Sequence, residues 1–198
     1  MEALNLLVFS YINAPAHPSM FMLGMAHFFA TYAIWVVPTL LIICWLRRNP
    51  EHHYIMLNAL LATGAALLVN NIIGMLWHHP RPFAMPTGHN FLYHEADPSF
   101  PSDHMTVIMT VAFTFLLRHR VRLLGLGLAV LGTLIGWSRI YLGVHFPIDM
   151  AGAVIVAFSS AFIIHVLSPL FMPSLYMPLR SLYRKLFAPL IKRGWLFH

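Results

Sequence analysis

Five stretches of this chain stay apolar for about the length a helix needs to cross a bilayer, roughly 20 residues for a hydrocarbon core of about 30 Å. They fall near residues 19–46, 54–77, 104–118, 121–138 and 148–168. In hydrocarbon the backbone has no water to bond, so such runs fold as helices and pack into a bundle. Charge is scarce to match: 9% of the residues are charged and 59% are hydrophobic, whereas a soluble domain carries about 25% charged residues to cover its surface. That shortage excludes a soluble globular domain and a disordered chain. It also excludes a solvated nucleic-acid binder, in spite of a formal net charge of +6. Long unbroken apolar runs likewise exclude an outer-membrane barrel, whose strands alternate in polarity.

The expected architecture is a single all-α membrane-embedded domain over residues 1–198, a bundle of about five transmembrane helices. The third run is short, and it and the fourth are expected to extend at their outer ends around a tight turn at Arg118, His119, Arg120 and Arg122. Leu4 to Ile12 is apolar but too short to span, and Pro15 and Pro18 break it from the first run, so it reads as an interfacial helix. Beyond the last run, Pro169 and Pro173 are expected to separate off a tail, residues 170–198. Leu179, Leu182, Tyr183, Leu186 and Phe187 there recur at helical spacing opposite Arg180, Arg184 and Lys185. Such a helix suits an anionic membrane surface. Cys44 is the one cysteine, so no disulfide can close within the chain. The chain opens Met1, Glu2 and has no Lys or Arg before Arg47, unlike a cleaved signal peptide, so the N-terminus is expected to be retained.

Cytoplasmic loops carry the excess of Lys and Arg. Of twelve such residues, ten (Arg47, Arg48, Arg118, Arg120, Arg122, Arg180, Arg184, Lys185, Lys192, Arg193) fall on one side of a five-span bundle. The expected topology therefore has the N-terminus outside and the C-terminus in the cytoplasm. Arg81 and Arg139 stand on the other side, against the orientation signal, and topology does not explain them.

The outer connections, roughly 78–103 and 139–147, also gather Glu95, Asp97, Asp103 and nearby Asp149, together with His78, His79, His89, His94, His104 and His145. Polar groups at the ends of apolar spans are costly to desolvate unless they serve a site. Two guanidiniums on one face suit a phosphate, which each can grip with two parallel N–H groups. Ser102 before the third run is placed as a helix N-cap, where free backbone N–H groups would face an anion. His145 and Asp149, four residues apart across Pro147, can set a carboxylate against one ring nitrogen and leave the other to attack. A phosphate held by Arg81, Arg139 and the Ser102 turn could then be attacked by His145 while His104 protonates the leaving oxygen. A transporter or binding protein that holds a lipid phosphate without cleaving it would use the same cations, but would call for broken helices or internal repeats.

Three segments carry a resemblance: Gly74-x6-Arg81-Pro82, Pro101-Ser102-Asp103-His104, and Ser138-Arg139-x5-His145-x3-Asp149. They resemble the type-2 phosphatidic acid phosphatase superfamily, whose signature reads K-x6-R-P, P-S-G-H and S-R-x5-H-x3-D, over roughly residues 70–155. The wider run, His79-Pro80-Arg81-Pro82-Phe83, Asn90-Phe91-Leu92, His94 and Ser99-Phe100-Pro101, is similar to bacterial undecaprenyl-diphosphate phosphatases of the bacitracin-resistance type. The resemblance implies hydrolysis of undecaprenyl diphosphate at the periplasmic face of the inner membrane, recycling the carrier lipid for wall synthesis. Phosphatidylglycerol phosphate and phosphatidic acid are alternative substrates for the same constellation. The resemblance also implies His145 as the phosphorylated nucleophile, Asp149 as its orienting carboxylate and His104 as general acid. Arg81, Ser102 and Arg139 hold the phosphate, with no metal or other cofactor.

Two positions depart from the signature: Gly74 replaces the lysine and Asp103 replaces the glycine. His78 or His79 is the candidate substitute for the missing cation, and Asp103, Asn90, His94 and His79 are candidate substrate contacts. Asp103 in a first helical turn favours the helix dipole, and it could instead pair with an arginine or tune His104. His89, His94, Glu95 and Asp97 match no closed metal-site spacing. Asn58, Asn70 and Asn71 inside the second run are expected to bond between helices.

Overall fold

The structure, a computed structural model, describes residues 2–46 and 50–193, and among these it is helical with no strand. Its helices are α1 (Glu2–Ile12), α2 (Met20–His27), α3 (Val36–Leu46), α4 (Pro50–Leu76), α5 (Asp103–Leu116), α6 (Arg122–Tyr141), α7 (Pro147–Leu186) and α8 (Ala188–Lys192). Arg47, Arg48 and Trp195 lie outside the described residues. One π-turn, Phe28–Tyr32, and one 3-10 turn, Ala33–Trp35, join α2 to α3 in a single apolar rod, Met20–Trp45. This rod, Glu51–Leu76, His119–Tyr141 and Pro147–Leu186 are the four described helices long and apolar enough to cross a membrane. The short α1 forms a separate apolar helix, and Asn13 after it locks the break. Its Nδ2 donates to the carbonyls of His89 (2.9 Å) and Tyr141 (3.1 Å), and its Oδ1 accepts from His89 N (2.7 Å).

The third run departs from expectation. α6 does extend outward, to Tyr141, but α5 begins at Asp103 and has 14 residues, about 21 Å at 1.5 Å per residue. Lipid is not its solvent. Met105, Ile108, Val111, Ala112 and Phe115 are buried, and the helix packs against α4, α6 and α7. The approach to α6 depends on small residues: a Cβ on Gly125 would come within 2.8 Å of Leu116 N and 2.9 Å of Ala112 O.

The break expected at Pro169 and Pro173 does not occur. α7 runs unbroken for 40 residues with Pro169, Pro173 and Pro178 inside it. Pro169 has no N–H for the carbonyl four residues back, and that carbonyl, of His165, accepts from Ser168 Oγ instead (3.0 Å). At about 60 Å the helix outreaches the hydrocarbon. Its end packs at the rim of the bundle, where Tyr183 is buried edge-on against Trp45, ring centroids 5.8 Å apart. Leu182 and Leu186 stay exposed beside Arg184 and Lys185, so the amphipathic character expected of the tail belongs to the last turns of α7.

Of the asparagines in α4, Asn70 does bond across helices, to Asp103 Oδ1 (2.8 Å) and Thr106 Oγ1 (2.9 Å) of α5. Asn71 is exposed. Asn58 is buried with neither side-chain atom hydrogen-bonded among the described residues, against expectation.

Candidate active site

Three connections meet at one end of the bundle. The segment after α4 brings in Arg81, the turn before α5 brings in Asp97 to Ser102, and the α6–α7 turn brings in His145. That last turn is tight because Gly143 sits at φ +77°, and any Cβ there would stand 2.1 Å from His89 O. Val144 N returns to Arg139 O (3.1 Å), closing the turn. Pro147 then starts α7, which puts Asp149 in its first turn, where Oδ2 accepts from Phe146 N (2.8 Å).

The same Oδ2 lies 3.2 Å from His145 Nδ1, and both side chains are buried. The other ring nitrogen, Nε2, lies 3.1 Å from Arg81 Nη1 and 3.5 Å from Arg139 Nη2. A guanidinium can only donate, so Nε2 is the lone-pair nitrogen and Nδ1 carries the proton toward Asp149. Arg81 is fixed on its other edges: Nε donates to Asp97 Oδ1 (2.9 Å), Nη1 to Val144 O (3.0 Å) and Nη2 to Pro98 O (3.4 Å). Arg139 donates through Nη1 to Ala30 O in the π-turn (3.4 Å), and its Nε is buried without a partner. A pocket of about 110 Å³ opens before these groups, lined by Arg81, His94, Asp97, Pro98, Pro101, Asp103, His104, Arg139 and His145.

Burial, and after it the charges of Arg139 and Arg81, hold the His145 pKa well below its ordinary 6.5. Burial likewise lowers His94, whose Nδ1 sits 3.4 Å from Asp97 Oδ1. For Asp97, partial burial pushes upward, but the Arg81 hydrogen bond and charge outweigh it and hold the carboxyl below the usual range.

The structure thus gathers His145, His104, Asp149, Arg81 and Arg139, with His94 and Asp103 at the pocket wall. Ser102 stands at the N-cap of α5 with φ −73° and ψ 119°, but its hydroxyl makes no capping bond and is buried without a partner. Two candidate contacts fall away from the pocket. Asn90 is exposed and turns its Oδ1 onto Leu92 N (2.9 Å). His79 is buried behind the site, edge-on to Phe146 and Trp77, so it does not stand where the signature lysine would. His78 instead lines an adjoining cavity of about 500 Å³ together with Gly74, Asn70 and Asn71.

Two residues escape sequence reasoning. Asp97 orients Arg81. Ser99, fully buried, contacts both Asp149 and His145. Asp103 pairs with neither arginine, and its carboxylate takes Asn70 instead. Asp103→Gly is therefore expected to retain measurable turnover, losing in stability a helix-terminus effect of about 0.3–1 kcal/mol together with the Asn70 hydrogen bond. Phosphate release and melting in detergent test this, and complete loss of turnover in a folded variant would make the carboxylate catalytic.

A membrane helix bundle that buries two guanidiniums around a carboxylate-oriented histidine is the architecture of a lipid phosphate phosphatase. The chain belongs to the PAP2 superfamily, whose family model matches residues 55–172. It is 40% identical to YbjG of Escherichia coli (strain K12) over 195 residues, 98% of each chain. It is 32% identical to undecaprenyl-diphosphatase BcrC of Bacillus subtilis (strain 168), over 96% of this chain and 97% of that one. Among solved structures, Aquifex aeolicus LpxE superposes with a TM-score of 0.63 at 28% identity, covering 81% of this chain and 94% of that one.

Proposed function

We propose that this protein removes the terminal phosphate from undecaprenyl diphosphate at the periplasmic membrane face, through a phosphohistidine on His145, and so recycles the carrier lipid for wall synthesis. The observation that carries the chemistry is the lone pair of His145 Nε2, aimed between Arg81 and Arg139 with its tautomer fixed from behind by Asp149. Identity to BcrC over nearly the whole chain supports the substrate. Orientation is supported by Arg118, Arg120, Arg122, Arg180, Arg184, Lys185, Lys192 and Arg193, all in segments at the bundle end away from His145.

The pocket has room for one phosphoryl group. Arg81 and Arg139 take its oxygens, with the unpartnered Ser102 hydroxyl and the free N–H groups at the start of α5 on the remaining side. The Nε2 lone pair forms a bond to the terminal phosphorus while the bridging P–O bond breaks. The electron pair departs with the lipid monophosphate, and His104 supplies a proton to that oxygen. Water then attacks the phosphorus while giving a proton back to His104, and the P–N bond breaks with its electron pair returning to Nε2, releasing phosphate. The remainder of the lipid stays in the bilayer.

The test is phosphate release by purified protein in detergent with EDTA, comparing undecaprenyl diphosphate with phosphatidylglycerol phosphate and phosphatidic acid. Preference for the polyprenyl lipid is expected, and preference for a glycerol lipid overturns the substrate assignment.

A pH dependence follows from the lowered His145 pKa. Because the nucleophile stays neutral as pH falls through 6.5, the acid limb of kcat/KM that reports its protonation is expected below pH 6.5. Stability behaves conversely. The unfolded chain protonates this histidine near 6.5 and the folded one does not, so the contribution present above pH 6.5 is lost as pH drops below it. Rate profiles and melting between pH 5 and 8 check both signs.

A further inference from the structure

We infer that Ser99 is a positioning residue for His145, completing a Ser99, Asp149, His145 relay; this rests on the reading of His145 as nucleophile. Ser99 is fully buried, and its amide is pinned to His79 O (2.8 Å), which holds its hydroxyl under the histidine ring. Oγ lies in hydrogen-bond contact with Asp149 Oδ2 and 3.3 Å from His145 Nδ1.

The direction of each proton follows by elimination. Arg81 and Arg139 donate toward Nε2, so Nδ1 bears the ring proton and cannot accept from Ser99. The single hydroxyl proton therefore goes to Asp149 Oδ2. That oxygen now takes Ser99 Oγ, Phe146 N (2.8 Å) and the Nδ1 proton (3.2 Å). Three donors on one oxygen lock the carboxylate rotamer against the ring.

The lone pairs of Ser99 Oγ face Nδ1 as a second acceptor. When Nε2 bonds to phosphorus, the ring becomes cationic and its Nδ1 proton more acidic, while the proton count on the ring is unchanged. An acceptor pair of Asp149 and Ser99 strengthens just as that charge appears, so its effect falls on the rate of phosphoryl transfer and not on substrate binding. Ser99 touches no reacting atom.

The experiment compares Ser99→Ala, Ser99→Thr and His145→Ala with the parent in one detergent assay of undecaprenyl diphosphate, reading kcat and KM, with melting as a folding control. Ser99→Ala is expected to lower kcat about 10- to 100-fold with KM within about twofold. Ser99→Thr is expected to recover most of kcat. A Ser99→Ala enzyme with parent kcat, or one whose lost kcat Ser99→Thr does not recover, overturns the relay. Turnover surviving in His145→Ala overturns the nucleophile assignment itself, which separates the two failures.

Discussion

His145→Ala is expected to abolish phosphate release, a loss on the order of 10⁴-fold or more, while the protein still folds and extracts into detergent as a bundle. The magnitude follows from the role, because removing a nucleophile removes the covalent route entirely and leaves only what binding and orientation give. The structural cost is moderate. His145 is buried, but it spans no helix and its neighbours Val144 and Phe146 hold the turn through backbone bonds. A second readout distinguishes chemistry from collapse: the parent, quenched in mid-turnover with phosphate-labelled lipid, is expected to carry acid-labile, base-stable label, and His145→Ala none. Turnover near the parent level in a folded His145→Ala protein would remove the covalent mechanism. It would return attention to a protein that binds a lipid phosphate without cleaving it.

The sequence already placed the residues on which that prediction depends. Arg81 and Arg139 were identifiable because they oppose the positive-inside rule, and His145 with Asp149 because a proline at the start of a helix fixes their relative positions. Those are local signals, readable within a few residues. Ser99 had none. Its partner Asp149 is 50 residues away, and a serine before Phe100-Pro101 looks like loop composition until two connections are folded onto one another. Asn13 was invisible for the same reason, since its partners belong to the loop at His89 and to the end of α6. His79 misled in the opposite way. A histidine two residues before Arg81 invites a role at the substrate, yet the fold sets Arg81 at the pocket and His79 edge-on against Phe146.

The helices divide similarly. Hydropathy and length marked α4, α6 and the Met20–Trp45 rod, because those faces meet lipid. α5 was marked by the same measure for a different physical reason: it is apolar because protein surrounds it, so the outward extension a lipid-facing helix would need has no cause. The prolines of α7 read as breaks under rules drawn from water, where a freed carbonyl is readily solvated. At membrane depth that carbonyl must be satisfied within the chain, and Ser168 does so one residue ahead of Pro169.

Arg139→Met is expected to eliminate turnover and, with no phosphate present, to raise the melting temperature. Arg139 is 2% exposed, its Nε has no partner, and no carboxylate forms an ion pair with it among the described residues. Its neighbour across the pocket is another buried cation, Arg81, which has Asp97 on one edge. Burying a charge without a counter-charge costs several kcal/mol, and replacing such a group by an apolar side chain of similar volume is neutral or stabilising by about 1–4 kcal/mol. On the proposed function, the anion that offsets this cost is the substrate. Phosphate or a phosphate-like oxyanion should therefore stabilise the parent by mass action, by about 2.7 kcal/mol at a concentration 100 times its Kd. Arg139→Met should lose that ligand-dependent shift along with activity. Melting curves of both proteins, with and without added phosphate, contain the whole comparison. A variant that melts below the parent in the absence of phosphate would mean that Arg139 supports the bundle as well as the anion, and that the unpaired Nε is solvated in the membrane. Retention of the phosphate shift in the variant would instead leave Arg81 and the start of α5 as sufficient to hold the anion.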